Sequence, residues 1–226
     1  MKKCSKIIYF QFVIFQTCMV LSTGCREDFI VAPVMNKIYT FTDDRDNKTY
    51  KTVMIGSQIW MAENLAYMPF ISNSKQAGIW VYDFYDSILN QAETSQYYIL
   101  YGCLYNWETA QQACPSGWHL PSDNDWKELT DFVRDNGHLT CEGVGLKSST
   151  GWMNGNGTDN YGFHALPAGV RNPYGDYYEK GRTLFWTSTP ENDSYAWAYD
   201  LVHTTTSVKR YAEDISNSFS IRCVKD

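Results

Sequence analysis

Basic charge is scarce in this chain of 226 residues: 19 Lys and Arg stand against 25 Asp and Glu, a formal net charge of -6. A leader ending at residue 24 takes Lys2, Lys3 and Lys6 with it and no acid, which leaves the remainder at -9. Phosphate recognition needs a basic footprint, so nucleic acid is excluded as a partner, and an anionic lipid surface is disfavoured on the same ground. A membrane span is also missing. The longest apolar run, Ile7 to Val20, is broken by Gln11, Gln16, Thr17 and Cys18 and is too short to cross a bilayer as a helix. No internal repeat is visible, no segment fits the EF-hand loop, and His and Cys do not fall at zinc-finger spacing.

The N-terminus itself is informative. A basic start, an apolar stretch and small residues make a secretory signal, and its last residues, "LSTGC", resemble the lipobox of bacterial lipoproteins. That resemblance implies a lipid on Cys25, with anchoring through acyl chains alone. Simple cleavage instead leaves Cys25 an odd thiol in an oxidising compartment. The expected organisation is a signal over residues 1–24, a tether over 25–38 and one domain over 39–226.

Within the domain, "DDRDN" (Asp43 to Asn47) is a turn between two short strands, and Gly56 with Ser57 makes the next. Tyr50, Thr52 and Met54 fall on one face, Lys51 and Val53 on the other. Residues 68–98 read as a long excursion with a short helix in "LNQAETSQYY", and long ordered excursions are often functional. "YGCLYNWETAQQAC" (Tyr101 to Cys114) reads as helical. A second helix follows Pro121: Ser122 and Asp125 form a capping box, and Trp126, Leu129 and Phe132 or Val133 form its buried stripe. After Asn136 and Gly137 come short runs between Gly-rich turns, closing on the alternating strands "YAWAYDL" and "FSIRC". The expected fold is α+β, two helices with curved antiparallel sheets and long loops, the first strand near the last.

Taken together, "TVMIGSQIWMAENL", "YGCLYNWETA", "CPSGWHLPSDNDWKEL", "GLKSSTGW", "YGFHALPAGVRNPYGDYY", "FWTST" and "FSIRCVKD" resemble the Fibrobacter succinogenes major paralogous domain family, from about Tyr39 to the C-terminus. The resemblance implies a C-type-lectin-like or formylglycine-generating-enzyme-like scaffold, in exported surface proteins, with no defined activity. It also implies a bridge from Cys114 to Cys223, which leaves Cys103 and Cys141 as a further pair. Four cysteines allow three connectivities.

Chemistry at the Cys114–His119 stretch is weak on these terms, because an oxidised Cys114 is neither a zinc ligand nor a nucleophile, and His119 then packs beside the helix start. The copper-binding cysteines of formylglycine-generating enzymes have no counterpart pair here. Calcium has candidate oxygens in "DDRDN" and in Glu191, Asn192 and Asp193. Sugar-binding C-type lectins, however, place Glu-Pro-Asn or Gln-Pro-Asp before Trp-Asn-Asp, whereas this chain has Pro190-Glu191-Asn192 and Trp197-Ala198-Tyr199. Glycoside hydrolysis needs two opposed carboxylates, and the spacing of Glu63, Asp176, Glu179, Glu191 and Asp193 opposes no two of them. Glu63, between apolar neighbours, reads as a carboxylate bonded to backbone amides.

Binding remains. The chain has 17 Tyr and 8 Trp, more polar-edged rings than a core of this size requires. Trp152, Tyr161, Tyr174, Tyr177, Tyr178 and Trp186 come from Gly- and Asn-rich loops, where rings can stack on sugars or anchor a protein; Trp152 and Trp186 serve equally as core. The expected function is a non-catalytic binding or adhesion module of a cell-surface lipoprotein, for a glycan or a protein. A structural part of a surface assembly and an exported hydrolase are the alternatives.

Overall fold

The computed structural model describes residues 37–72, 78–153, 157–178 and 180–226. The leader, Cys25, the tether up to residue 36 and Glu179 lie outside these residues, and so do the expectations that rest on them. In chain order the elements are β1 (Ile38–Asp43), β2 (Lys48–Ile55), β3 (Gln58–Met61), β4 (Ile79–Trp80), α1 (Leu89–Thr94), α2 (Gln96–Tyr101), β5 (Leu104–Asn106), α3 (Trp107–Ala110) and β6 (Trp118–His119). There follow α4 (Asp123–Asp135), α5 (Glu142–Leu146), β7 (Val170–Arg171), β8 (Tyr177–Tyr178), β9 (Arg182–Pro190), β10 (Tyr195–Val202), β11 (Lys209–Asp214), β12 (Ser218–Phe219) and β13 (Val224–Lys225). The strands form three sheets, ordered β1-β2-β3-β13-β6, β11-β10-β9 and β4-β5-β12-β7-β8, and all the named strand pairs are antiparallel. The chain is therefore α+β. Among the described residues no helix is long and apolar enough to cross a membrane.

Strand alternation sorts side chains into two cores. Tyr50 on β2, Leu184 and Trp186 on β9, Ala196 and Ala198 on β10, and Phe219, Ile221 and Cys223 near the C-terminus enter the first. Their neighbours on the opposite face, Val53, Ile55, Phe185, Tyr199, Leu201 and Val224, enter the second, with Trp60, Trp126 and Phe163. Burial on both faces explains why both Thr52 and Val53 are covered while Met54, past the edge of the first core, is exposed.

The turn at "DDRDN" closes the β1–β2 hairpin. Asp43 is fully buried there, and Arg45 donates to both of its oxygens at 2.9 and 2.7 Å. Burial alone would raise the Asp43 carboxyl, but the Arg45 hydrogen bonds and charge outweigh it and hold the group below its ordinary value. Gly56 turns the chain into β3 at φ 61°, and an added Cβ would lie 3.0 Å from the Phe132 ring, so glycine suits the site twice over.

Helix α4 starts as expected: the Ser122 hydroxyl accepts from the Asp125 N–H and the Asp125 carboxylate accepts from the Ser122 N–H at 2.7 Å. Trp126, Leu129 and Val133 are buried behind it. His119 lies beside that start, its Nδ1 2.8 Å from Asp226 and its Nε2 3.5 Å from Asp125. Cys114 is bonded to Cys223 across 109 positions, a closure that contributes about 4–5 kcal/mol in the chain-entropy view, and its sulfur is thereby removed as a metal ligand or nucleophile.

Three expectations are corrected. Cys103 is a free, fully buried thiol, and Cys141 is disulfide-bonded, so these two do not pair with each other. The stretch after Tyr101 is not one helix: Leu104 to Asn106 form a strand between β4 and β12, and α3 covers only Trp107–Ala110. Tertiary pairing with Phe219 and Ile79 outweighs the local helical spacing there. The last strand, β13, pairs with β3 and β6; it shares a sheet with β1 but is not paired with it.

Candidate binding cleft and aromatic ridge

The excursion before residue 98 builds more than a cover. Ser95 caps α2 by accepting from the Tyr98 N–H, and the helix ends at Gly102, φ 70°, where a Cβ would lie 2.7 Å from the Leu65 carbonyl. This close approach sets α2 against the segment after β3, where the Tyr98 hydroxyl donates to the Ala66 carbonyl and the Asn64 amide to the Tyr101 carbonyl, each at 3.0 Å. The result is a cleft of about 400 Å³, walled by Lys48 and Lys51 of β2, Glu63, Asn64, Tyr98, Tyr101 and the loop carrying Asp159 and His164. Ile38, Ile99, Leu100 and Leu166 add apolar surface to it.

Arg222 underlies the cleft at 1% exposure. Its Nε donates to Asn64 Oδ1 at 3.0 Å, Nη2 to the His164 carbonyl at 2.8 Å and Nη1 to the Phe163 carbonyl. The guanidinium lies 4.4 Å from the Phe163 ring centre. Burial pulls Arg222 down to about 9, against the opposing charges of Asp159 and Glu63, so it stays protonated at neutral pH.

Asp159 and His164 both hold left-handed backbone, at φ 52° and 54°, a conformation that costs non-glycine residues of order 1 kcal/mol. They also bind each other: Asp159 accepts from the His164 N–H at 2.7 Å and its second oxygen meets His164 Nδ1 at 2.8 Å. In the neutral ring, Nδ1 against a carboxylate is the nitrogen that carries the proton, and Nε2 is then the acceptor. Glu63 accepts from the Lys51 N–H at 2.7 Å, the backbone-bonded carboxylate its neighbours predict.

A line of tyrosines leads from this cleft through the buried Tyr82 and out to the surface on the far side. Tyr101 stacks on Tyr97 at 6.1 Å, Tyr97 meets Tyr82 edge-on at 5.6 Å, Tyr82 meets Tyr177 at 5.5 Å and Tyr177 meets Tyr85 at 5.2 Å. Tyr177 donates its hydroxyl to the Phe84 carbonyl at 2.8 Å, so the β7–β8 hairpin and the excursion are joined at that ring. The line ends in open solvent, where Tyr85 is 73% exposed and Tyr174, on the hairpin turn, 88%. Beneath it, Arg171 faces Trp80 at 4.2 Å and Tyr177 at 5.7 Å.

Of the six rings considered for binding, Tyr174 is on the surface, Tyr177 lies in the ridge, Tyr178 packs half-buried against the first core, and Trp186 is core, its indole N–H on the Tyr105 carbonyl at 2.9 Å. Trp152 and Tyr161 are corrected. Trp152 is buried with its indole N–H on Ser148 and the Ala165 carbonyl, and Tyr161 is buried with its hydroxyl on the Asn136 carbonyl at 2.8 Å. Glu191, Asn192 and Asp193 form the β9–β10 turn, where Asn192 Oδ1 already accepts from the Ser194 and Tyr195 amides. The described residues hold no group of three or more His, Cys, Asp or Glu able to bind a metal ion. His164, Asp159, Asn64 and Arg222 were not expected as a site. The one available signal was a charged Arg222 between the apolar Ile221 and Cys223 in a closing strand.

The sequence model of the Fibrobacter succinogenes major domain matches residues 53–225, a span that contains most of the cleft and all of the tyrosine line. No curated protein and no solved structure matches the chain.

Proposed function

We propose that this chain, which belongs to the Fibrobacter succinogenes major domain family, is a non-catalytic module that binds a glycan outside the cell, held to the outer membrane by a lipid on Cys25. The observation that carries the reading is a tyrosine cluster open at both ends, at the exposed Tyr85 and at the cleft wall by Tyr101, and held together through the buried Tyr82. Tyr85 and Tyr174 at the open end offer sugar faces a place to stack, and the cleft's Glu63 and His164 offer hydroxyls their hydrogen bonds. A C-type-lectin-like scaffold is part of the proposal; two loop-built features at one side of stapled sheets support it. Catalysis is not part of it. Among the described residues the cleft wall has no Ser, Thr or Cys, and each of its carboxylates accepts from an N–H.

The purified full-length protein, probed on arrays of oligosaccharides and of surface proteins, is expected to retain oligosaccharides. Tyr85→Ala combined with Tyr174→Ala should weaken that binding at least about tenfold, or about 1.4 kcal/mol. Retention of a protein partner alone, or glycan binding indifferent to both substitutions, would overturn the reading.

A further inference from the structure

We infer that the cleft is an anion subsite and that the glycan it takes carries a carboxylate on its sugar ring, as a hexuronate does. The inference rests on the glycan-binding reading above. In a domain with an excess of acid, the charges of this wall run the other way. Arg222 beneath it is answered by Glu63 and Asp159, and each of those carboxylates is already bonded to an N–H. Lys48 and Lys51 remain. Both line the cleft, and neither makes a salt bridge among the described residues. The Lys48 ammonium lies 5.1 Å from the Tyr98 ring centre, held by an aromatic face; Asp46 and Glu93 line the pocket beside it, yet neither is close enough to form an ion pair with it.

A neutral sugar seated here would take water from two ammonium groups and return no charge to them. A carboxylate would return one, through charge-assisted hydrogen bonds. The remaining surface suits the rest of such a ring. His164 Nε2 is an acceptor without a partner among the described residues, ready for a hydroxyl. Ile99 and Leu100, at 70% and 54% exposure, offer apolar surface to its C–H face. The cleft's about 400 Å³ falls within the usual small-ligand range of about 300–1,000 Å³.

The test compares an oligohexuronate with the same oligosaccharide after reduction of its carboxyls to alcohols, each titrated calorimetrically into the full-length protein. The acidic form should bind about tenfold more tightly at low salt, with the advantage shrinking as salt rises. Lys48→Gln with Lys51→Gln should abolish that advantage, whereas Lys209→Gln on β11 with Lys225→Gln on β13, the same charge change away from the cleft, should preserve it. Equal binding of the two saccharides, or an advantage that survives the double lysine change in a protein with unaltered circular dichroism, would overturn the anion subsite while leaving glycan binding in place. If neither saccharide binds and the array retains none, glycan binding itself fails, and the subsite with it.

Discussion

Two aromatic clusters in this molecule have nearly the same ring geometry, but one is closed to solvent throughout and the other opens from a buried Tyr82 to solvent at its ends. Around α4, Trp126 lies 5.2 Å from Trp60, 5.6 Å from Phe163, 5.4 Å from Phe185 and 4.8 Å from Tyr199, and no ring of the five is more than 6% exposed. The tyrosine ridge has spacings of 5.2 to 6.1 Å but opens to 73% exposure at Tyr85. Contact geometry is therefore no guide to role. Residue type and burial are: Trp and Phe dominate where water is excluded, and Tyr alone is used where one edge must stay wet.

The comparison breaks most visibly at Trp126. Trp126→Ala should lose about 3–5 kcal/mol in urea unfolding, the usual cost of emptying a large core site. Its indole N–H has no acceptor, so Trp126→Phe gives up no hydrogen bond and should cost clearly less. A loss for Trp126→Ala no larger than that of a surface change would mean that the second core is not what holds the domain.

Alkaline pH should separate two single groups next, one beside each region. Lys147 is buried in the second core's margin, donating to the Val202 and Thr205 carbonyls at 2.7 and 2.6 Å, and burial drops it to about 8 against the pull of Asp200. Between that value and its unfolded value of about 10.5 the unfolded chain binds the extra proton, so this group makes stability rise with pH. Tyr177 in the ridge is pushed up to about 12 by burial, against the lowering effect of Arg171. Between about 10 and that value the folded chain keeps a proton the unfolded chain has lost, so this group makes stability fall. Each slope is at most about 1.4 kcal/mol per pH unit. Unfolding measured from pH 7 to 11 should show Lys147→Met flattening the rise and Tyr177→Phe reducing the fall; identical profiles for wild type and both variants would remove the distinction.

What could be read in advance divides along the same line. The capping box of Ser122 and Asp125 and the stripe of Trp126, Leu129 and Val133 are local patterns, legible because helix caps and faces are written within one or two turns. The Cys114–Cys223 bridge came with the family resemblance. Nothing local marks the cleft. Arg222 and His164 meet across 58 positions, and His164 depends on a left-handed backbone that Asp159 and Arg222 impose from outside. Trp152 and Tyr161 misled because Gly- and Asn-rich flanks signal loops, yet a loop can turn its rings inward where a carbonyl such as that of Ala165 or Asn136 awaits the polar edge. Leu104 to Asn106 misled because pairing with Phe219 lies more than a hundred residues away.

The smallest effect is the most discriminating. Tyr85 touches the ridge only through the edge of Tyr177, a pair worth about 0.5–1.5 kcal/mol when shielded and less at this exposure. Tyr85→Ala should therefore shift urea unfolding by under about 0.5 kcal/mol, the range of ordinary surface changes. Binding of a saccharide along the ridge should suffer far more, because a stacking ring acts on the complex and hardly at all on the fold. A stability loss rivalling that of Trp126→Ala would make the ridge a second core that happens to be wet, and its rings would then need no ligand to account for them.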